Sequence, residues 1–295
     1  MSSELPFAGV ELGGTKCVCT LAHSPDRILR QETIPTTTPD GTIGALERLL
    51  TDWSSDGIAS LGINSFGPVD LREGSPTWGF ITNTTKPGWS GTVVAPRLGR
   101  AAGARAAFDT DVNGAARAEM RWGAGRGFQD FAYITVGTGV GVGLIVNGKP
   151  TRGFSHAELG HVRPVRLAGD DWPGACSFHG ACVEGLASGP AIKARLGERQ
   201  IGSIAEDDAV WDTVAHALAQ LCHAIVCAAC PMRIAIGGGV MERQPHLLGR
   251  VQDMLVESLG AYMELPSGPY VVAPELGAQA GPMGSIALAM DAIGA

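Results

Sequence analysis

One pattern, present twice, restricts the fold of this chain more than any other feature. Residues 7–22 read Phe-Ala-Gly-Val-Glu-Leu, then Gly-Gly-Thr-Lys, then Cys-Val-Cys-Thr-Leu-Ala. Small and β-branched flanks around a glycine pair predict strand, tight turn, strand. Residues 131–147 repeat that order: Phe-Ala-Tyr-Ile-Thr-Val, then Gly-Thr-Gly, then Val-Gly-Val-Gly-Leu-Ile-Val-Asn. Tips built from Gly13, Gly14 and Thr15, and from Thr138 and Gly139, present backbone N–H groups and hydroxyls, the donors a phosphate needs. Lys16 adds a positive charge beside the first. Duplication of such a hairpin implies two similar α/β halves facing a cleft. The plainer alternative is a pair of glycine-rich turns used only for close strand packing.

At 295 residues the chain can bury one large core or two smaller ones. Its 42 glycines are about twice ordinary usage and cluster between apolar runs, marking tight backbone geometry. A net charge of −7 and the lack of a basic run argue against nucleic-acid binding. No signal pattern opens the sequence, and no apolar stretch reads as long enough to span a bilayer. Seven cysteines, an odd count, fit a reducing cytoplasm better than a disulfide framework.

Residues 158–184 carry the second informative pattern. Glu158-Leu-Gly-His161 is followed, after a spacer, by Cys176-Ser-Phe-His179-Gly-Ala-Cys182-Val-Glu184. His161, Cys176, His179 and Cys182 read His-x14-Cys-x2-His-x2-Cys, a donor set suited to tetrahedral zinc. Four protein ligands leave no open position, so such a zinc is structural and pins a loop that carries Glu158 and Glu184. The plainer alternative is two free cysteines and two unrelated histidines.

Between the hairpins, 41–53 has helical apolar spacing and 58–66 is a short apolar strand. Trp78 to Trp89 is a polar loop with aromatics at both ends and Asn83 within, a composition that either holds a sugar or packs on itself. An apolar strand then ends in Asp109-Thr-Asp111-Val-Asn113 and gives way to a small-residue helix. Asp111 or Asn113 could serve as a plain N-cap. A carboxylate at a strand's C-terminal end is also where a general base would be placed. Further on, 209–229 is a long apolar helix. Cys227-x2-Cys230 near its end, with Cys222 and His223, reads as small buried thiols in an apolar setting, the alternative being a second metal or redox site. A buried strand at 232–236 opens into Gly237-Gly238-Gly239, bare backbone that admits a flat ligand. Residues 280–292 form a C-terminal helix.

Together these motifs resemble the ROK family (repressors, uncharacterised frames and sugar kinases), and most closely its bacterial, zinc-containing fructokinase branch. The marks are Gly-Gly-Thr-Lys at 13–16, Ile-Thr-Asn-Thr and Lys-Pro-Gly-Trp within 81–89, and Asp-Val-Asn at 111–113. Gly-Thr-Gly-Val-Gly at 137–141, the 158–161 and 176–185 motifs, and Gly-Gly-Gly-Val at 237–240 complete the set. The resemblance implies an actin-like, ribonuclease-H-like α/β fold in two lobes, residues 1–112 plus 281–295 and residues 113–280, with ATP and sugar bound between them. It implies an ATP-dependent kinase that phosphorylates D-fructose at the 6-hydroxyl. The alternatives are another hexose (mannose, glucose or an N-acetylhexosamine) or a non-catalytic sugar sensor.

By position, Asp111 would be the base. Asn83, Asn113, Glu158, His161 and Glu184 would grip sugar. Gly13, Gly14, Thr15, Lys16, Thr138 and Gly139 would meet the phosphates, and Gly237, Gly238 and Gly239 the adenosine. Glu11 would help place Mg²⁺, although much of the family has Asp there. Zn²⁺ would take His161, Cys176, His179 and Cys182, with His179 standing where many members have a third cysteine. A cytoplasmic homodimer without nucleic-acid or membrane partners is implied.

Overall fold

Phe7–Leu12 forms β1 because its residues are buried and apolar apart from Glu11, and Gly13–Thr15 then reverses the chain into β2, Lys16–Ser24. These strands belong to a computed structural model that describes residues 5–295. The chain divides into two compact units, residues 1–126, 151–156 and 278–295, and residues 127–150 and 157–277. The expected boundary at 112/113 falls inside a helix of the first unit.

The first unit continues with β3 (Arg27–Pro35), α1 (Pro39–Ser54), β4 (Leu61–Ser65), α2 (Ala95–Ala102), β5 (Ala106–Thr110) and α3 (Asp111–Trp122). Its sheet runs β3-β2-β1-β4-β5. β2 runs antiparallel to both β1 and β3, whereas β4 and β5 run parallel to β1. The C-terminal helix, Ala280–Asp291, packs on β1, β4 and α3. Small residues permit that approach: a Cβ at Gly62 would strike the Ser285 carbonyl, and one at Gly284 would strike Gly114. Leu12, Ile43, Leu46, Leu61 and Ile63 are among the fully buried core residues of this unit.

The second unit repeats the arrangement. It holds β6 (Phe131–Val136), β7 (Val140–Val146), β8 (Lys149–Pro150), α4 (Val183–Ala187), α5 (Gly189–Leu196), α6 (Ala209–Ala229), β9 (Ile234–Gly237), α7 (Gly239–Arg243), α8 (Leu247–Leu259) and β10 (Val271–Val272). Its order, β10-β9-β6-β7-β8, is the first sheet read backwards, with the same senses: β7 antiparallel to β6 and β8, β9 parallel to β6 and β10. By length and composition α6 could cross a membrane, contrary to the sequence expectation. Its Trp211, Leu218 and Ile225 are instead buried in the second core. Cys222 is buried with them, while Cys227 and Cys230 are exposed, so only the first fits the expectation of core thiols.

Candidate active site and metal centre

At the first hairpin tip the Gly13 N–H donates to the Lys16 carbonyl (3.1 Å), and the Thr36 hydroxyl donates to the Gly13 carbonyl (2.7 Å). Gly14, Thr15 and Lys16 stay exposed. Lys86 reaches the tip and donates from Nζ to the Gly14 carbonyl at 2.6 Å. In the sequence Lys86 is one lysine of the polar 78–89 loop, and no local pattern marks it as a partner of the tip. Beneath the tip, burial pushes the Glu11 carboxyl up to about 7, the nearby Asp111 charge pushes the same way, and Lys16 opposes both. Glu11 has room because the facing residue is Gly281, where a Cβ would collide with the carboxylate. Glu11 beneath the glycine tip thus feels the charges of both Asp111 and Lys16, the electrostatics expected of a site for a cation and a phosphate together.

Asp111 opens α3. The N-cap is neither Asp111 nor Asn113 but Thr110, whose hydroxyl accepts the Asn113 N–H at 3.2 Å. That leaves the Asp111 side chain at the exit of β5, where its Oδ1 accepts the Val112 N–H at 2.9 Å. Asn113 is 4% exposed, and its Nδ2 donates to Asp109 Oδ1 at 2.8 Å. Asn83 is exposed on its loop. Of the two tryptophans at the ends of that loop, Trp89 does not offer its face to a sugar. Trp89 is fully buried, donates from Nε1 to the Thr37 carbonyl (3.0 Å) and meets Phe66 edge-on at 5.3 Å. Trp78 packs edge-on against Phe108 at 6.4 Å. Desolvating a large indole drives it into the core once its N–H has a partner.

In the second unit the Gly137 N–H donates to the Gly139 carbonyl (2.9 Å), and Thr138 is exposed at the tip. Glu184 braces this tip. Its Oε2 accepts the Val140 N–H at 3.1 Å and lies where a Cβ on Gly139 would be. Gly237 pairs with Thr135 across β6 and β9, so Gly237–Gly239 follow the parallel strand beside the tip. Gly238 adopts φ +89°, and a Cβ there would strike Val136. Glu158, His161 and Glu184 gather together: His161 Nδ1 lies 4.0 Å from Glu184 Oε1. Burial raises the Glu158 pKa, the His161 charge lowers it and the Glu184 charge raises it.

The four candidate metal donors, His161, Cys176, His179 and Cys182, lie within 4.8 Å of one another. A turn closed by hydrogen bonds between Cys176 and Gly180 makes the knuckle, with Gly180 at φ +56°. Cys182 caps α4, its sulfur accepting the Gly185 N–H at 3.4 Å, so ligand and Glu184 share one helical turn. His161 Nδ1 sits 3.8 Å from the Cys176 sulfur and 3.6 Å from the Cys182 sulfur; His179 Nδ1 sits 3.8 Å from Cys176. Metal–sulfur bonds of about 2.3 Å and metal–nitrogen bonds of about 2.0 Å place tetrahedral ligands about 3.5–3.8 Å apart, so these three sulfur–nitrogen spacings and the donor types are those zinc would take. Burial pushes the Cys182 thiol up to about 11, and a cation is what would make it a thiolate.

Two copies of one five-stranded frame, each led by a glycine-tipped hairpin, are the actin-like ATPase fold. The chain belongs to the ROK family, whose sequence model matches residues 7–292. It is 42% identical over 294 residues to the fructokinase of Zymomonas mobilis, covering 97% of each chain. It is 37% identical to the fructokinase of Pediococcus pentosaceus, covering 97% of this chain and 98% of the relative. Among solved structures, a ROK family glucokinase from Streptomyces griseus in complex with glucose and AMPPNP superimposes with a TM-score of 0.78 at 25% identity, covering 97% of this chain and 99% of the other.

Proposed function

We propose that this protein is a fructokinase that transfers the γ-phosphoryl group of ATP to the 6-hydroxyl of D-fructose. The observation that carries the reading is 42% identity to a fructokinase over nearly the whole chain, together with a glycine tip above Glu11, whose carboxyl feels the charges of Asp111 and Lys16. Phosphoryl transfer asks a protein chiefly for positioning and charge neutralisation. Backbone N–H groups of Gly13, Gly14 and Thr15, the ammonium of Lys16, and the tip at Thr138 and Gly139 hold phosphates. Gly237, Gly238 and Gly239 leave space beside adenosine. Asn83, Glu158, His161 and Glu184 bind sugar hydroxyls; Asn113, its amide nitrogen committed to Asp109, has its carbonyl oxygen to offer. Asp111 accepts the proton of the attacking hydroxyl.

Glu11 is the residue to hold Mg²⁺ with the phosphates, and the ion supplies neutralisation of the charge on ATP when bound. Zn²⁺ on His161, Cys176, His179 and Cys182 is structural. Because Nδ1 of His161 faces both sulfurs, Nε2 points away from the metal centre and is the nitrogen for a sugar hydroxyl. The active form is a cytoplasmic homodimer.

An ADP-release assay over fructose, mannose, glucose and N-acetylmannosamine, with and without Mg²⁺, tests the reading. Fructose is expected to give the highest kcat/KM, and only with Mg²⁺. Preference for another hexose, or ADP release indifferent to sugar, would refute it.

A further inference from the structure

Asp109 is wholly buried at the end of β5, yet nothing in the phosphoryl-transfer chemistry above requires it. Its carboxylate has four acceptor positions and four donors fill them. Oδ1 accepts the Thr110 N–H at 2.8 Å and the Asn113 amide at 2.8 Å. Oδ2 accepts Arg152 at 2.6 Å and Arg117 at 3.4 Å. Arg117 also binds Asp291 at 2.6 Å, which ties the carboxylate to the C-terminal helix. Arg152 arrives on the segment 151–156, which is anchored a second time where His156 Nε2 accepts the Val69 N–H at 3.1 Å.

One oxygen therefore holds the residue before Asp111 and the residue two after it. We infer that Asp109 is a positioning residue: it clamps Thr110 and Asn113 so that the intervening Asp111 leaves β5 in a single direction, and Arg152 and Arg117 keep the clamp charged and fixed. The inference rests on Asp111 being the base. Replacing Asp109 by Asn leaves one acceptor oxygen for donors on two sides, so either the clamp or the arginines lose their partner.

The test is a double-mutant cycle of Asp109→Asn and Asp111→Asn in the full chain, with kcat, both KM values and thermal midpoints recorded. Asp109→Asn is expected to lower kcat by about 10-fold or more with fructose and ATP KM within about twofold, since small misplacements of a reacting group are costly. The double variant is expected to be no slower than Asp111→Asn alone, because residues acting as a unit are not additive. A merely structural Asp109 would lower the amount of folded enzyme and multiply its loss onto that of Asp111→Asn; that result, or unchanged kcat in Asp109→Asn, overturns the inference. Should Asp109→Asn not fold, Arg152→Gln is expected to lower kcat about threefold or more and Arg152→Lys to restore most of it, the shift again being one of geometry. Unchanged kcat in Arg152→Gln overturns the inference too. If Asp111→Asn itself turns over normally, the base assignment falls first; if it is slow while Asp109→Asn is not, only the clamp falls.

Discussion

The two sheets share strand order, strand sense and a three-residue tip, but they carry different chemistry. In the first, charge lies on the strands and just beyond them: Glu11 on β1, Asp109 on β5, Asp111 at the start of α3, with Lys16 and Lys86 at the tip. In the second, the corresponding strands are apolar, β10 being only Val271–Val272. Its candidate site residues stand instead on the insertion between β8 and α5, where the cluster of His161, Cys176, His179 and Cys182 shares a segment with Glu158 and Glu184. A duplicated frame thus places backbone donors alike, while the titratable groups sit on and beside strands in one copy and on a loop with a candidate metal cluster in the other. Charge on a strand is held by sheet hydrogen bonds already present. Charge on a long loop needs a staple of its own, because ordering each loop residue costs about 1–2 kcal/mol of backbone entropy.

If that contrast is right, the largest effect comes from the staple. Cys176→Ser should abolish a stoichiometry of about one zinc per chain by elemental analysis and lower the thermal midpoint by roughly 10 °C or more. It should leave ATP binding to the glycine tips near normal; an unaltered midpoint with full activity would remove the metal from the account. Glu184→Gln comes next, removing a charge that accepts the Val140 N–H at the second tip. Its kcat/KM for fructose should fall by about 10- to 100-fold, the worth of a hydrogen bond to a charged group.

A smaller effect concerns Glu11, which ionises near 7 in the folded chain and near 4.5 once unfolded. Between those values the folded state holds the extra proton. Metal-free protein should therefore lose stability as pH rises from about 4.5 to about 7, by up to about 3 kcal/mol. Glu11→Gln should flatten that part of the profile in denaturant titrations, and an unchanged slope would contradict the burial argument. Smallest is Gly281→Ala. Its Cβ displaces the Glu11 carboxylate and should raise the Mg²⁺ concentration for half activation by about threefold, as expected for a modest shift of one charged group.

Where local pattern and tertiary role coincide, the sequence was readable. Both glycine-tipped hairpins, the long helix at 209–229 and the His-Cys-His-Cys quartet each declare themselves within one continuous stretch of sequence. β3 did not, because it is an edge strand with mostly exposed Arg27, Arg30, Gln31 and Glu32 and so lacks apolar alternation. Trp89 misled for a related reason: an indole flanking a polar loop looks available until its N–H is seen to bond the Thr37 carbonyl. Asp109 and Asp111 were legible as a pair of carboxylates, but not the ion pairs that hold Asp109, since Arg152 lies 43 residues away from it in sequence. Long-range ion pairs leave no periodic trace.

The central claim is that one carboxylate of the first unit, Asp111, accepts the proton of the fructose hydroxyl. The most direct measurement is steady-state phosphorylation of fructose by Asp111→Asn at matched zinc content and thermal midpoint. A kcat lower by about 100-fold or more, with ATP KM within about twofold, is predicted for loss of a positioned base. Turnover near that of the unmodified chain would contradict it.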